Sequence, residues 1–339
     1  MGWNKKMKKF LIKVISLLPN SLQSFLARIL SFIKKPNYIG MHIVPDNFVF
    51  LKIYNFFSIL FNFRIFSKRK FKNIKSRYSI DKNKGYLVVN DNDKKFLKAV
   101  NCAKKIFKKN KKNLLNKKFK KDFLRSIVLD YNNRENTPIF DFSCDEKIIN
   151  VISEYLGSKP VLNTANLWYS PNENFSIGNS QSFHLDGEDL RQVKIFINLY
   201  PVNKYSGPLT IYPRDISETI YKKLKETNLI KKRNEKIPDS YIEKLDIKSN
   251  PVELTGPEKQ MAFVDTCSCY HYGSRPLRNK KNTPRIILYL HYTTVFQKKL
   301  PTFFKRKINV KLPGNFTEKE RNMHTDVLGY QHELYRKVI

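Results

Sequence analysis

Cysteine is scarce in this chain, with four among 339 residues. That is too few, and too scattered, for the disulfide framework of a small secreted scaffold. Cys267 and Cys269 form a C-x-C with no second pair at zinc spacing, and Cys102 and Cys144 stand alone. A reduced, cytoplasmic setting is the simplest expectation. Also missing is any uninterrupted apolar run of about 20 residues, the length of a spanning helix. The most apolar stretch, Asn47–Phe66 (NFVFLKIYNFFSILFNFRIF), is broken by Lys52, Asn55, Asn62 and Arg64. It reads as a core helix or a membrane-contacting element, not a span. Near the start, Lys13 interrupts the first apolar run and no small-residue cleavage site follows, so a secretory signal is not expected. Lys6 stands where a myristoylation motif needs Ser or Thr. No internal repeat is visible.

Acidic residues are outnumbered 29 to 64, giving a formal charge of +35. Only fifteen of the basic residues are arginine. Specific base readers lean on arginine forks, so nucleic acid is not the expected partner. Lys, Asn, Ile and Phe are all abundant and all have A/T-rich codons, so composition accounts for much of the charge. The competing reading is attraction to an anionic membrane surface.

What is present is enough for a folded protein: 41% hydrophobic and 13% aromatic residues in a chain long enough for a sizeable core. Residues 1–75 read as a basic, amphipathic helical module. There Ser21 can cap a helix whose one face carries Leu22, Phe25, Leu26, Ile29, Leu30 and Ile33. Bracketed by lysines, residues 1–70 could contact an anionic membrane or pack on protein. The main domain is expected over 76–310, with a C-terminal extension at 311–339. Gly85–Asn90 reads as a strand, Ala103–Lys121 as a solvated lysine-rich helix, and Cys144–Gly157 as a helix.

From Val161 the pattern turns to short alternating runs: Val161–Tyr169, Ser182–Leu185, Gln192–Tyr200, Thr210–Tyr212, Met261–Asp265 and Arg285–Thr293. Many short strands separated by turn formers predict a sandwich or jelly roll, an α+β chain with a mainly β core and flanking helices. A polar, partly helical insertion at 214–250 reads as a lid or surface excursion.

Within the run Gln181–Tyr200, His184 and Asp186 are two apart, so on a strand they project from one face. An imidazole beside a carboxylate is two-thirds of a 2-His-1-carboxylate iron site. Alone the pair is weak, since His184 could be a core histidine and Asp186 a turn residue before Gly187. A second histidine, His271, follows the strand Met261–Asp265. Arg285 then opens the apolar strand RIILYLHY, where a buried cation needs an anion. A strand-borne arginine suits a carboxylate held bidentately. Asp186 is preferred to Glu188 or Asp189 by its i+2 spacing, and His271 to His291, six residues inside the last strand from Arg285. His42, His324 and His332 lack a partner pattern.

HLDGEDLRQVKIFINLYPVNKYSGPLTIYP, then MAFVDTCSCYHYGSRP and PRIILYLHY, together resemble the phytanoyl-CoA dioxygenase family of Fe(II)/2-oxoglutarate oxygenases. The resemblance is loose from Leu87 to Thr294 and close from Asn163 to Tyr292. It implies a double-stranded β-helix, with His184, Asp186 and His271 as iron ligands and Arg285 as partner of the distal carboxylate of 2-oxoglutarate. It places Ser274 near that carboxylate, and Gln181, Lys194, Asn166 and Tyr169 on strands that line the pocket. The implied chemistry is hydroxylation of a small or lipid-, CoA- or sugar-linked substrate by Fe(II), 2-oxoglutarate and O2. The alternative is a jelly-roll binding or scaffold protein without catalysis, possibly peripheral to a membrane. One departure is Tyr212-Pro213-Arg214-Asp215, where the family commonly has Gly-Ser-His.

Overall fold

The structure, a computed structural model, describes residues 78–293 apart from 117–121, 132, 157–159, 174–176 and 190. The expected modules at 1–75 and 311–339, with His42, His324 and His332, lie outside the described residues. No helix among the described residues is long and apolar enough to cross a membrane.

All strand pairing among the described residues is antiparallel, in two sheets. The larger sheet has six strands: β1 (Tyr86–Asn90), β2 (Arg125–Val128), β3 (Val161–Ser170), β4 (Gln192–Asn198), β7 (Gln260–Val264) and β9 (Arg285–Thr293), in the order β1-β7-β4-β9-β3-β2. The smaller joins β5 (Thr210–Ile211), β6 (Val252–Glu253) and β8 (His271–Tyr272) in the order β6-β5-β8. Single bridges, Phe183 to Ile237 and His184 to His271, extend it beyond β8. The expected strand at Ser182–Leu185 is thus reduced to two bridged residues.

Strand alternation sorts the six-stranded sheet into two faces. On one, Leu162, Leu167, Ile195, Ile197, Phe263, Leu288, Leu290 and Tyr292 join the largest core. Three helices cover that face: α1 (Lys94–Asn116), α2 (Thr137–Ser143) and α3 (Glu146–Leu156). Helix α1 starts at Asp93, whose carboxylate accepts from the Lys95 backbone N–H at 2.9 Å, a side-chain cap for an otherwise orphaned donor. It buries Phe96, Ala99, Val100, Ala103, Ile106, Phe107 and Leu114 at helical spacing and turns its lysines outward.

The opposite face carries Phe196, Ala262, Val264, Ile287 and Tyr289, which pack with Leu209, Ile211, Leu254 and Cys269 of the smaller sheet and its approaches. The outer side of the smaller sheet is covered in turn. Phe183, Leu185, Tyr212 and Tyr270 pack with Ile220 and Leu224 of α4 (Arg214–Glu226), with Ile242 of α5 (Asp239–Glu243), and with Ile237. The region read as a lid or surface excursion is therefore part of the wall. The Ile237 N–H donates to the Phe183 carbonyl at 2.7 Å, and the apolar residues of α4 and α5 need the outward faces of Phe183 and Leu185 for burial.

One glycine is conformationally required at the turn that precedes β5. Gly207 has φ 57°, and a Cβ there would sit 3.0 Å from Asn172 Oδ1 and 3.1 Å from the Arg275 backbone.

Ile197 is fully buried where the sheet meets the helices, whereas Val88 is 38% exposed. Ile197→Ala is expected to cost about 2–5 kcal/mol in urea unfolding and Val88→Ala about 0.5 kcal/mol or less.

Candidate metal centre

His184, Asp186 and His271 converge between the two sheets. Their ligand atoms lie within 4.8 Å of one another, and theirs is the one His/Cys/Asp/Glu cluster able to hold a metal ion among the described residues. Backbone pairing produces the convergence. The His184 and His271 amides each donate to the other's carbonyl at 3.1 Å, a hydrogen-bonded antiparallel pair whose side chains share a face. Their rings lie 4.3 Å apart, centroid to centroid. Asp186, two residues on, is held by its N–H to the Thr266 carbonyl at 2.9 Å.

Hydrogen bonding fixes the tautomers. His184 Nδ1 lies 2.9 Å from the Ser182 carbonyl and His271 Nδ1 lies 2.9 Å from the Cys269 carbonyl. A carbonyl only accepts, so both Nδ1 atoms carry the proton and both Nε2 atoms turn inward. Those atoms lie 3.7 Å (His184) and 3.5 Å (His271) from the oxygens of Asp186. Burial, reinforced by His184, pushes His271 down to about 3, so it presents a lone pair. Lone pair and carboxylate facing each other call for a cation between them.

Burial raises the Asp186 carboxyl, but Lys194, His271 and His184 outweigh it and hold the group well below the usual carboxylate range. Lys194 Nζ donates to Asp186 Oδ2 at 2.5 Å, and Gln192 Nε2 donates to the same oxygen at 3.2 Å. Gln192 Nε2 also donates to Thr266 Oγ1 at 2.6 Å, and its Oε1 accepts from His291 Nε2 at 2.8 Å. That leaves His291 Nδ1 to accept from Asn163 Nδ2 at 3.3 Å. Every donor and acceptor in this buried chain has a consistent role. Burial works against the Lys194 ammonium, yet the Asp186 carboxylate beside it keeps it protonated.

At the other end of β9, Arg285 is buried and has no acidic partner among the described residues. Burial alone pushes its guanidinium down to about 10. Its Nη2 donates to Ser274 Oγ at 3.0 Å, Ser274 Oγ bonds Ser170 Oγ at 2.7 Å, and the Arg285 Nε has no partner among those residues. A Cβ on Gly273 would lie 3.3 Å from Nη2, so the fork passes beside the strand of His271. Ser274 takes φ 59°, unusual for a residue with a side chain, and this aims its hydroxyl at Arg285. A buried guanidinium with an orphaned N–H and two nearby hydroxyls has the donor set for a carboxylate.

Not every residue expected to line the pocket does so. Asn166 lies on the same face of the sheet as its cross-strand partner Tyr289 and accepts from Thr164 Oγ1 at 3.2 Å. Tyr169, three residues on, faces the helices and packs on Phe107, ring centres 5.8 Å apart. From Thr164 to Ser170 the pairing runs without a bulge, so residues an odd number apart there cannot share a face. Gln181 is a support: its amide donates to the Ser274 carbonyl at 2.6 Å and its own carbonyl accepts from Arg275 Nε. Arg275 forks onto Asp239 at 2.7 and 2.9 Å and lies 3.5 Å above the Tyr272 ring, tying α5 to the rim. Cys267 and Cys269 are buried thiols whose deprotonation burial opposes, which suits a wall and not a ligand.

Gln192, Thr266, Asn163, Ser170 and His291 join the site without being among the residues expected there. For two of them the signal is parity: Gln192 shares the face of Lys194, and His291 that of Arg285. Glu188 belongs with them. Its Oε2 is enclosed without a partner among the described residues, and its charge acts on both Lys194 and Tyr289.

No family model matches the chain, and no curated protein matches it. Among solved structures it is similar to EctD from S. alaskensis in its apoform, at 16% identity and TM-score 0.44 over 62% of this chain and 74% of that one. It is similar to AviO1 from Streptomyces viridochromogenes Tue57, at 11% identity and TM-score 0.43 over 65% and 94%. A third is HygX from Streptomyces hygroscopicus with nickel and 2-oxoglutarate bound, at 12% identity and TM-score 0.40 over 63% and 84%. These are partial likenesses, and the chemistry of the site stands on its own residues.

The buried histidines give the metal-free protein a defined acid response. Unfolded, His271 and His291 take up protons as the pH falls through their ordinary value of 6.5; folded, burial keeps His271 neutral to about 3 and His291 well below 6.5. The unfolded chain binds more protons from about pH 6 to 4, so stability falls on acidification, by up to ~1.4 kcal/mol per pH unit per histidine. Urea midpoints of chelator-treated protein are expected to fall accordingly, and His291→Gln to make the slope shallower by about one proton.

Proposed function

We propose that this chain is an Fe(II)- and 2-oxoglutarate-dependent oxygenase on a double-stranded β-helix, hydroxylating a C–H bond of a small or lipid-, CoA- or sugar-linked substrate. The observation that carries the reading is the pairing of an inward-facing His184/Asp186/His271 cluster with an acid-free, buried Arg285 in one interior. Either alone has a structural explanation; together they match a metal and a short dicarboxylate.

In this reading His184 and His271 hold the metal through Nε2, their tautomers set by the Ser182 and Cys269 carbonyls. Asp186 supplies the negative charge. Arg285 and Ser274, backed by Ser170, hold the distal carboxylate of 2-oxoglutarate and orient the cosubstrate along the space between the sheets. Phe196, Leu209, Ala262 and Ile287 form apolar walls of the cavity that reaches Arg285. Bound iron and 2-oxoglutarate would supply oxygen activation, with succinate and carbon dioxide released and one oxygen atom entering the substrate.

The excess of lysine favours a phosphorylated, CoA-linked or acidic substrate. Lysines around the amphipathic pattern at 1–70 favour a cytoplasmic protein in peripheral contact with anionic membrane. The complete ligand set favours catalysis over a binding-only jelly roll.

Anaerobic loading with Fe(II) and 2-oxoglutarate, then exposure to oxygen, is expected to release succinate. Arg285→Gln is expected to raise the 2-oxoglutarate requirement about a hundredfold, equivalent to about 3 kcal/mol from lost charge-assisted hydrogen bonds. Iron binding without any succinate would overturn the oxygenase reading.

A further inference from the structure

The polar groups behind Asp186 do more than bury neatly. Both of its side-chain donors, Lys194 Nζ at 2.5 Å and Gln192 Nε2 at 3.2 Å, fall on Oδ2. Each oxygen faces one ligand imidazole, Oδ1 at 3.7 Å from His184 Nε2 and Oδ2 at 3.5 Å from His271 Nε2, so the two donors alone set Oδ2 apart. Neither donor is free to swing off. Lys194 lies on β4 between the cross-strand neighbours His291 and Val264, and its ammonium is 5.9 Å from the Tyr289 ring centre. Gln192 is pinned at both ends of its amide, by Thr266 and by His291.

From this arrangement we infer that Lys194 is a positioning residue that reserves Oδ2 of Asp186, so that a bound metal receives one carboxylate oxygen and not two. The inference rests on the metal-centre reading above. The distinction matters because a carboxylate can bind a metal through one oxygen or chelate it through both. A chelating Asp186 would take a coordination position that the proposed chemistry needs for cosubstrate or oxygen. Lysine suits this role because it is a point charge that satisfies one oxygen, where an arginine fork would engage both. This gives Lys194, which the resemblance places only on a pocket-lining strand, a role on the carboxylate ligand.

Mn(II) alone is a sufficient probe, with metal-bound water counted by water-proton relaxation. A six-coordinate ion on two imidazoles and one carboxylate oxygen keeps about three waters. Wild-type protein is expected to show that number, Lys194→Met one fewer, and Lys194→Gln, which retains a neutral donor, the wild-type number. Metal affinity in Lys194→Met is expected to change by about 10–100-fold, the usual reach of groups behind a ligand. A wild-type complex already one water short, or a Lys194→Met complex with the wild-type count, overturns the assignment. So does loss of folding in both variants that Mn(II) does not reverse, since Lys194 would then be a structural counter-ion only. Failure of the wild-type chain to bind Mn(II) would instead sink the metal-centre reading.

Discussion

The pleat of the six-stranded sheet lets neighbouring residues face opposite ways, and the rest of the molecule is built on that separation. Along β4, Val193, Ile195 and Ile197 go to the helices, while Gln192, Lys194, Phe196 and Asn198 go to the interior between the sheets. Along β9, Arg285, Ile287, Tyr289 and His291 take the interior and Ile286, Leu288, Leu290 and Tyr292 the helix side. A register slip of one residue would put Lys194 and Arg285 into a hydrocarbon core and expose the apolar set to the site. The cost of such a slip is what fixes the pairing.

The interior is unusual in carrying two buried cations with different fates. Lys194 has its carboxylate within reach, so its burial is compensated inside the chain. Arg285 has only serine hydroxyls and an orphaned Nε among the described residues. Desolvating an ion costs on the order of several kcal/mol. Folding tolerates that at Arg285 because the surrounding core is large and covered on both outer faces. The contrast separates a finished ion pair from one that awaits an anion.

Much of this is legible in the residues. The i+2 spacing of His184 and Asp186 and the apolar frame of Arg285 are local signals, and β9 spans Arg285–Thr293 as the alternation indicates. Parity carries further than the pocket expectation took it: Asn166 and Tyr169, an odd number apart, cannot both face the pocket, and the even spacing from Arg285 to His291 puts both on one face. Other features have no local signal. Strands β5, β6 and β8 are two residues long and exist only through their partners. The docking of Ile237 beside Phe183 joins residues more than fifty positions apart, and nothing in the polar run around Ile237 announces it.

The bridge between His184 and His271 has one more consequence. The same two residues that aim imidazoles inward also exchange both backbone hydrogen bonds across a junction a single residue wide on each side. A ligand that held both rings would therefore bear on the two peptide groups that pair here, and its affinity would be thermodynamically linked to local strand order.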